Sequence, residues 1–470
     1  GTGNVAVGDA ALYFNETAND NTAVGHECMS ANTTGTSNTA LGAYALDANT
    51  TANSNTAIGG NSLTTNTTGT QNTAVGQSSL KLNLTGNYNS ALGVNALREN
   101  TSADNNTAMG HEAARFNETG NNLTAVGKNA LRANTTGSAN TAVGQDCLDL
   151  NTTGGQNCSF GADAMGNNTT GSKNIAIGFQ TLLANTTADN NTAIGYKALN
   201  GNQTGTVNVA VGANALENND ADSNTAVGYS CLSSNTSGTH NTGMGRQTLK
   251  DCTTGTYNTG IGSYSLMDLT TGDNNTAHGH RALQNVSTGS QNTAVGISAG
   301  DTITTAESNT CIGFGSDVDS TSRAIAVALG RNISTHPSNY TFRVEGGNGV
   351  YHTGNTTTWS TTSDERIKKD IVDSSVGLEE INKVKIRNFK YRTPSEITAS
   401  ELQKYDLEQL AVNNTDTQVG VIAQEFETVF PNSVKTDDRG IKNVNEDELL
   451  FAMVKAIQEL SAKVAALESA

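Results

Sequence analysis

The apolar and polar positions of this chain return on a fixed period. The pattern N-T-A-V-G recurs with its glycine at Gly8, Gly25, Gly42 and onward to Gly212 in steps of 17, and then from Gly228 to Gly330 after a single step of 16, twenty copies in all. A full unit reads N-T-A-V-G-x-x-A-L-x-x-N-T-T-G-T-x, as in Asn38–Ser54 with small variations. Thr-Ala-Val alternates like a short strand, and the glycine after it permits a tight corner. Four residues past that glycine stands Leu or Met, as at Leu12, Met29, Leu46 and Leu63, with Ala114 an exception. Asn-Thr-Thr-Gly is turn chemistry, because Asn and Gly tolerate left-handed backbone and Asn bonds its own main chain. One unit buries almost nothing; stacked units are expected to bury a continuous column of Val/Ile and Leu and to share stability between neighbours. Seventeen residues are too few for a helix pair with loops, and Gly and Asn at these places break helices. The period therefore predicts a β-solenoid over 1–330, one coil per repeat. Twenty coils at a strand spacing of ~4.8 Å give a rod on the order of 95 Å.

The pattern then changes twice. Residues 331–362 leave the repeat: Tyr340–Val344 and Val350–His352 around a glycine-rich turn predict a β-hairpin neck, with Trp359, the chain's one tryptophan, beyond it. From Ser363 to Ala470 the pattern is that of an α+β domain. Asp364–Ile371 can open a short helix, with Thr362 and Glu365 at capping-box spacing. Gly377–Val384 is helix-like, Ile386–Tyr391 a strand, Val419–Ala423 a buried strand, and Gln424–Phe430 a helix stopped by Pro431. The last helix, Glu446–Ser469, has Asn445 as its cap with Glu448 at the third position. Its Leu450, Met453, Ile457, Leu460, Val464 and Leu467 are spaced 3, 4, 3, 4, 3, which is a short coiled-coil seam. With Leu450, Ile457 and Val464 at a and leucine mostly at d, the seam leans towards two strands over this short stretch.

Composition agrees with a repeat closed by small side chains. The 470 residues include 49 Gly and 3 Pro, and only 5% are aromatic, too few large side chains for ordinary multi-domain cores. Charged residues make up 15%, too few for a disordered chain. A net charge of −17 makes nucleic acid and anionic membranes poor partners, and no apolar run approaches a membrane span. Residues 1–362 carry 13 Lys/Arg and 24 Asp/Glu, against 14 and 20 in 363–470, so the last part is about three times as densely charged. That shift marks a domain boundary. The chain opens at Gly1 without a signal peptide or an initiator methionine, so an N-terminal attachment part is expected before it.

No cofactor or metal chemistry stands out. The six cysteines are scattered through the solenoid: Cys28, Cys147 and Cys231 at the small position before the ladder Leu, Cys158 and Cys311 in strands, and Cys252 in place of a turn Asn. Single substitutions at small sites read as buried thiols rather than as disulfides or a zinc site. His278 and His280 flank Gly279 without a third ligand nearby and read as surface residues. Glycosylation sequons start at Asn15, Asn32, Asn49 and onward in thirteen repeats. They read as one turn recurring, an Asn and Thr ladder, more than as glycan acceptors.

Two resemblances follow from these motifs. N-T-A-V-G, with variants Asn174–Gly178 and Ala326–Gly330, resembles the head repeats of trimeric autotransporter adhesins, left-handed β-rolls built by three chains side by side; the repeat here is a few residues longer. In the last domain, Ser363–Ile371 (SDERIKKDI), Gly420–Glu427 (GVIAQEFE) with Phe430-Pro431, and Val454–Leu460 (VKAIQEL) resemble the C-terminal intramolecular chaperone of endosialidase tailspikes, phage tail and neck fibres and the myelin regulatory factor. That resemblance implies a homotrimer assembled by three chaperone domains, which then release themselves by cutting before the serine. It makes Ser363 the nucleophile and Lys368 its base, with the cut between Thr362 and Ser363. A serine hydroxyl needs a base, and a lysine serves only when burial lowers its pKa. On one continuous helix residues five apart lie about 140° apart. Ser363 is therefore expected in a non-helical segment, or the lysine comes from another chain. On spacing alone, Ser363 as a helix cap and Lys368 as a solvated charge is the simpler reading.

The function expected is a structural and adhesive fibre subunit on a virion surface, extracellular, contacting a host receptor. A glycan depolymerase would need paired carboxylates in a groove, and the solenoid's acids are scattered. A bacterial surface adhesin would carry a membrane-anchor barrel at its C-terminus. Ice binding has only the threonine content in its favour.

Overall fold

In this computed structural model each N-T-A-V-G unit forms a three-residue strand, from β1 (Val5–Val7) to β20 (Val327–Leu329), each parallel to the next. The structure describes residues 1–318, 321, 325–333, 342–344, 350–352, 371–392, 416–436, 442–445 and 447–469. Contacts divide the chain into two units, Gly1–Thr362 and Ser363–Ala470. In the first, register follows the period: Thr39 lies beside Thr56, Ala40 beside Ala57 and Leu41 beside Ile58. The result is a parallel β-solenoid of about nineteen turns. Beyond β20, Phe342–Val344 joins the same sheet in parallel and pairs antiparallel with Val350–His352, the expected hairpin. Trp359 lies outside the described residues.

Each solenoid strand ends on a glycine with φ between 122° and 146°. A Cβ on Gly42 would stand 2.6 Å from the carbonyl carbon of Gly59, so backbone packs on backbone down this corner. Left-handed residues then recur two, four and twelve positions on, as at Tyr44 (φ 59°), Leu46 (52°) and Ser54 (57°). Holding a leucine there costs about 1 kcal/mol. Complete burial of its side chain, about 2 kcal/mol, offsets that.

The interior differs from the expected column in one respect. The ladder Leu is buried, but the Val/Ile of each strand is not: Val7 is 56% exposed and Leu41 48%, while the alanine between the flanking positions is at 0% in nearly every coil. The coil is too narrow for two large side chains to face each other. The strand's middle residue abuts the turn of the preceding coil, and in two coils it is reduced to glycine against an enlarged turn residue. A Cβ on Gly243 would collide with Cys231, and one on Gly260 would lie 2.6 Å from Thr248 Cγ2. Val/Ile and Thr therefore line the outer face of the sheet.

Two asparagine ladders complete the core. In the turn ladder the Asn83 amide donates to Asn66 Oδ1 (2.8 Å) and to Gly86 O (3.0 Å), a pattern repeated coil by coil through Asn235. Cys252, Leu269, Val286 and Ile303 then continue the position as an apolar column, which leaves the buried Asn235 Oδ1 unpartnered at the junction. In the second ladder, the strand-entry Asn38 donates to Ala52 O (2.8 Å) and its Oδ1 accepts the Asn55 N–H (2.9 Å). These amides satisfy turn carbonyls that a solenoid this narrow cannot expose to water.

The single 16-residue step falls in the turn of one coil, where Asn219-Asp220-Ala221 replaces Asn-Thr-Thr-Gly. Asp220 Oδ1 accepts from the Gln203 (2.8 Å) and Thr204 (2.6 Å) amides of the preceding coil. Elsewhere a backbone carbonyl takes those donors, as Thr50 O does for Thr33 and Thr34. The strands on either side keep register, with Val209 beside Thr225.

The second unit is built of short elements: helix α1 (Leu378–Ile381), strand Arg387–Phe389 antiparallel to Gln418–Gly420, helix α2 (Ala423–Glu427), a 3-10 turn (Pro431–Ser433), strand Val434–Thr436 antiparallel to Lys442–Val444, and helix α3 (Asp447–Glu468). From Gly377 on the expected elements appear in the expected order, and the hairpin of Val434–Thr436 with Lys442–Val444 is an addition to them. Val419, expected in a buried strand, is 71% exposed, because its strand pairs with a single neighbour among the described residues.

Candidate functional site

The predicted nucleophile Ser363, its base Lys368, the cleavage residue Thr362 and all of the helix expected over Asp364–Ile371 except its last residue lie outside the described residues; Ile371 is exposed and not helical. What the structure describes is the scaffold downstream. Phe426, Phe430, Val434 and Ala452 form its buried centre, with Ile381, Val384 and Val421 packed around it. The Phe426 and Phe430 rings meet at 5.1 Å.

Polar ties fix the elements to one another. The Arg387 guanidinium grips the Glu425 carboxylate through two bonds of 2.9 and 2.6 Å and holds its pKa below the usual range. Lys442 pairs with Glu427. The Ser433 hydroxyl donates to Glu448 Oε2 (2.6 Å). Glu448 was expected to serve the start of the last helix; instead it ties that helix to the preceding turn. At the α1 N-terminus, the Gly377 N–H donates to Glu380 Oε2 (3.0 Å) and the Leu378 N–H to Glu459 Oε2 (3.1 Å), so α3 supplies one of the caps of α1. Glu459 was not singled out by sequence reasoning, since its role depends on a residue 81 positions away.

Helix α3 leaves a seam open. Leu450, Ile457 and Leu467 are 58%, 64% and 78% exposed, and Met453, Leu460 and Val464 are also exposed. A groove of about 200 Å³ between α1 and α3 is lined by Leu378, Ile381, Met453, Ala456, Ile457 and Leu460. Every member of the predicted heptad seam thus faces solvent in the single chain.

In the solenoid, the candidate residues resolve as packing. Cys28, Cys147, Cys231, Cys252 and Cys311 are buried free thiols, and Cys158 is half-buried. Burial pushes Cys28 and Cys147 up to about 11 and Cys231, Cys252 and Cys311 up to about 12. The sequon asparagines from Asn32 to Asn235 are buried in the turn ladder, their amide nitrogens bonded. His278 and His280 are exposed, and His280 meets the edge of Tyr264 at 5.7 Å. Among the described residues no three His, Cys, Asp or Glu side chains gather as metal ligands.

Residues 363–435 match the family described as the chaperone of endosialidase. The chain is also 33% identical over 126 residues to myelin gene regulatory factor-like A of Dictyostelium discoideum, an alignment covering 24% of this chain and 11% of that protein. The chain thus spans about a tenth of the length of the curated relative it matches. No solved structure matches it. The match opens at Ser363, where the second unit begins, so a β-solenoid is followed in this chain by a domain of the endosialidase chaperone type.

Proposed function

We propose that the chain is the structural and adhesive subunit of an extracellular fibre on a virion surface, a parallel homotrimer that contacts the host. Its chaperone domain assembles the trimer and then releases itself by Ser-Lys autoproteolysis. The observation that carries this reading is the chaperone match over 363–435 directly behind a solenoid. The open seam on α3 and the apolar column on the outer sheet face support it, since both are surfaces that side-by-side chains would cover.

The proposed chemistry needs no cofactor. Ser363 Oγ attacks the Thr362 carbonyl carbon while Lys368 Nζ accepts the hydroxyl proton. The C–N bond breaks as that proton passes to the Ser363 nitrogen, leaving Thr362 as an ester on Ser363 Oγ. Water then hydrolyses the ester, giving a Thr362 carboxylate and a free Ser363 amine. One lysine serves as base and then as acid, which requires a pKa lowered by its surroundings.

The test is the full chain beside its Ser363→Ala and Lys368→Ala variants on a denaturing gel with N-terminal sequencing. Wild type should split with a new terminus at Ser363 and both variants should stay whole. An uncut wild type would remove the autoproteolysis, and the same cut in the variants would remove the dyad.

A further inference from the structure

The two positions after each strand-end glycine change character halfway along the solenoid. In the first ten coils these twenty residues include five acids (Asp9, Glu27, Glu112, Asp146, Asp163) and one Lys/Arg, Lys128. In the last ten, from Gly178 to Gly330, they include no acid and four cations, Lys197, Arg246, Arg281 and Arg331. Five aromatic residues, Phe179, Tyr196, Tyr229, Tyr264 and Phe314, share the same strip, where the first ten coils have Tyr44 alone. This occurs in a chain of net charge −17.

The side chains are arranged as a surface. Phe179 and Tyr196 stack at 6.0 Å with ring planes 11° apart. Lys197 lies over the Tyr196 ring, Arg246 over Tyr264 and Arg331 over Phe314, at 5.5, 5.5 and 5.7 Å. Phe179, Tyr196 and Tyr229 are about half exposed. Four cations elsewhere on the solenoid are matched with carboxylates, Arg98 with Glu99, Arg115 with Glu112, Arg132 with Asp149 and Lys250 with Asp251, while Lys81, Lys128 and Lys173 stand singly along it. Among the described residues Lys197, Arg246 and Arg281 have no carboxylate within ion-pairing distance, although Asp301 lies within electrostatic reach of Arg281.

We infer that this strip binds a linear anionic polysaccharide laid along the solenoid axis. Aromatic faces carry partial negative charge and attract the C–H faces of sugar rings, while Lys and Arg take the acidic groups. Two adjacent positions per coil repeat their contacts along the solenoid, which suits an extended polymer. Nine coil steps of ~4.8 Å make the strip about 43 Å long, and its cations, which span the eight steps from Lys197 to Arg331, stand about 13 Å apart on average. Duplex DNA places a charge every ~1.7 Å and would meet far too few cations here. A glycan with one acidic group per two or three sugars matches the density. The inference rests on the surface-contact reading above and names the chemistry of the surface.

The experiment measures binding of the full chain, at low and raised ionic strength, to hyaluronan, unsulfated chondroitin and heparosan, each with one carboxylate per two sugars, with dextran and a short DNA duplex as comparisons. Binding to at least one acidic glycan, weakened by salt and exceeding that to dextran and DNA, is expected. Arg246→Glu with Arg281→Glu should lower that affinity by about tenfold. Tyr196→Ala with Tyr264→Ala should lower it comparably, while Lys128→Ala should leave it unchanged. These are surface positions, and unchanged circular dichroism keeps folding apart from binding. Absence of binding to all three acidic glycans, preference for DNA, or indifference to both double variants overturns the inference. Native mass and cleavage read on the same preparations separate the two failures: a cut trimer that binds no acidic glycan loses only the strip, whereas an uncut monomer loses the fibre reading.

Discussion

Single residues in this solenoid act through their copies 17 positions away. Asn134 donates to Asn117 Oδ1 and to Gly137 O and accepts from Asn151, and Leu123 stands where the other ladder would supply a second donor to Gly137. Asn134→Ala should therefore cost about 3 kcal/mol, read as a lowered urea midpoint, against nearly nothing for the exposed Thr136→Ala. Asp220→Ala, which unseats the amides of the shortened coil, should cost about 2 kcal/mol, well above the same change at Asp9. The thiols supply a pH test. Cys231, Cys252 and Cys311 stay protonated in the folded chain up to about pH 12, while unfolded thiols ionise near 9.0. The unfolded state thus binds fewer protons in that window, so their contribution is intact below about pH 9 and is lost as pH rises towards 12. At pH 8 the five buried cysteines should resist a thiol reagent, with the half-buried Cys158 labelled first by mass spectrometry; fast labelling of Cys231 would contradict the burial. The asparagine ladder and the buried thiols were legible in sequence because identical residues at identical turns imply stacking. The exposed Val/Ile was not, since a three-residue strand shows which positions share a face but not which face is inside. Nor was the left-handed Leu, whose strain only burial makes tolerable.

At the scale of elements, the short strands owe their order to neighbours, and helix α3 carries an apolar seam that the single chain leaves exposed. The heptad spacing of Leu450 to Leu467 was plain in sequence, and so was the helix that carries Phe426, whereas the hairpin that brings Val434 and Val444 to it was not read. Cross-element ties such as Glu459 to the start of α1 were hidden, because they join residues with no sequence relation. Ile457→Glu with Leu460→Glu places two carboxylates on the open seam without touching the buried centre. The pair should leave helix content unchanged while abolishing association, measured by sedimentation together with circular dichroism. Association that survives would show that the seam is not an assembly surface.

The whole molecule joins a uniform β-solenoid to a domain of the endosialidase chaperone type. Coils this uniform differ little in energy when two chains pair one coil out of step, so register along the rod needs an outside reference. On the proposed reading the chaperone domain would supply one, and its departure by cleavage would leave a fibre that is hard to unfold for kinetic reasons. The candidate dyad was legible in sequence as the motif SDERIKKDI, but spacing alone favoured a helix cap, and the reading draws on the family match. The most direct test of the assembly claim is the native mass of the Ser363→Ala chain, which keeps chaperone and solenoid together. The account predicts three copies of the 48.6 kDa chain in one particle. A monomer or a dimer would contradict it.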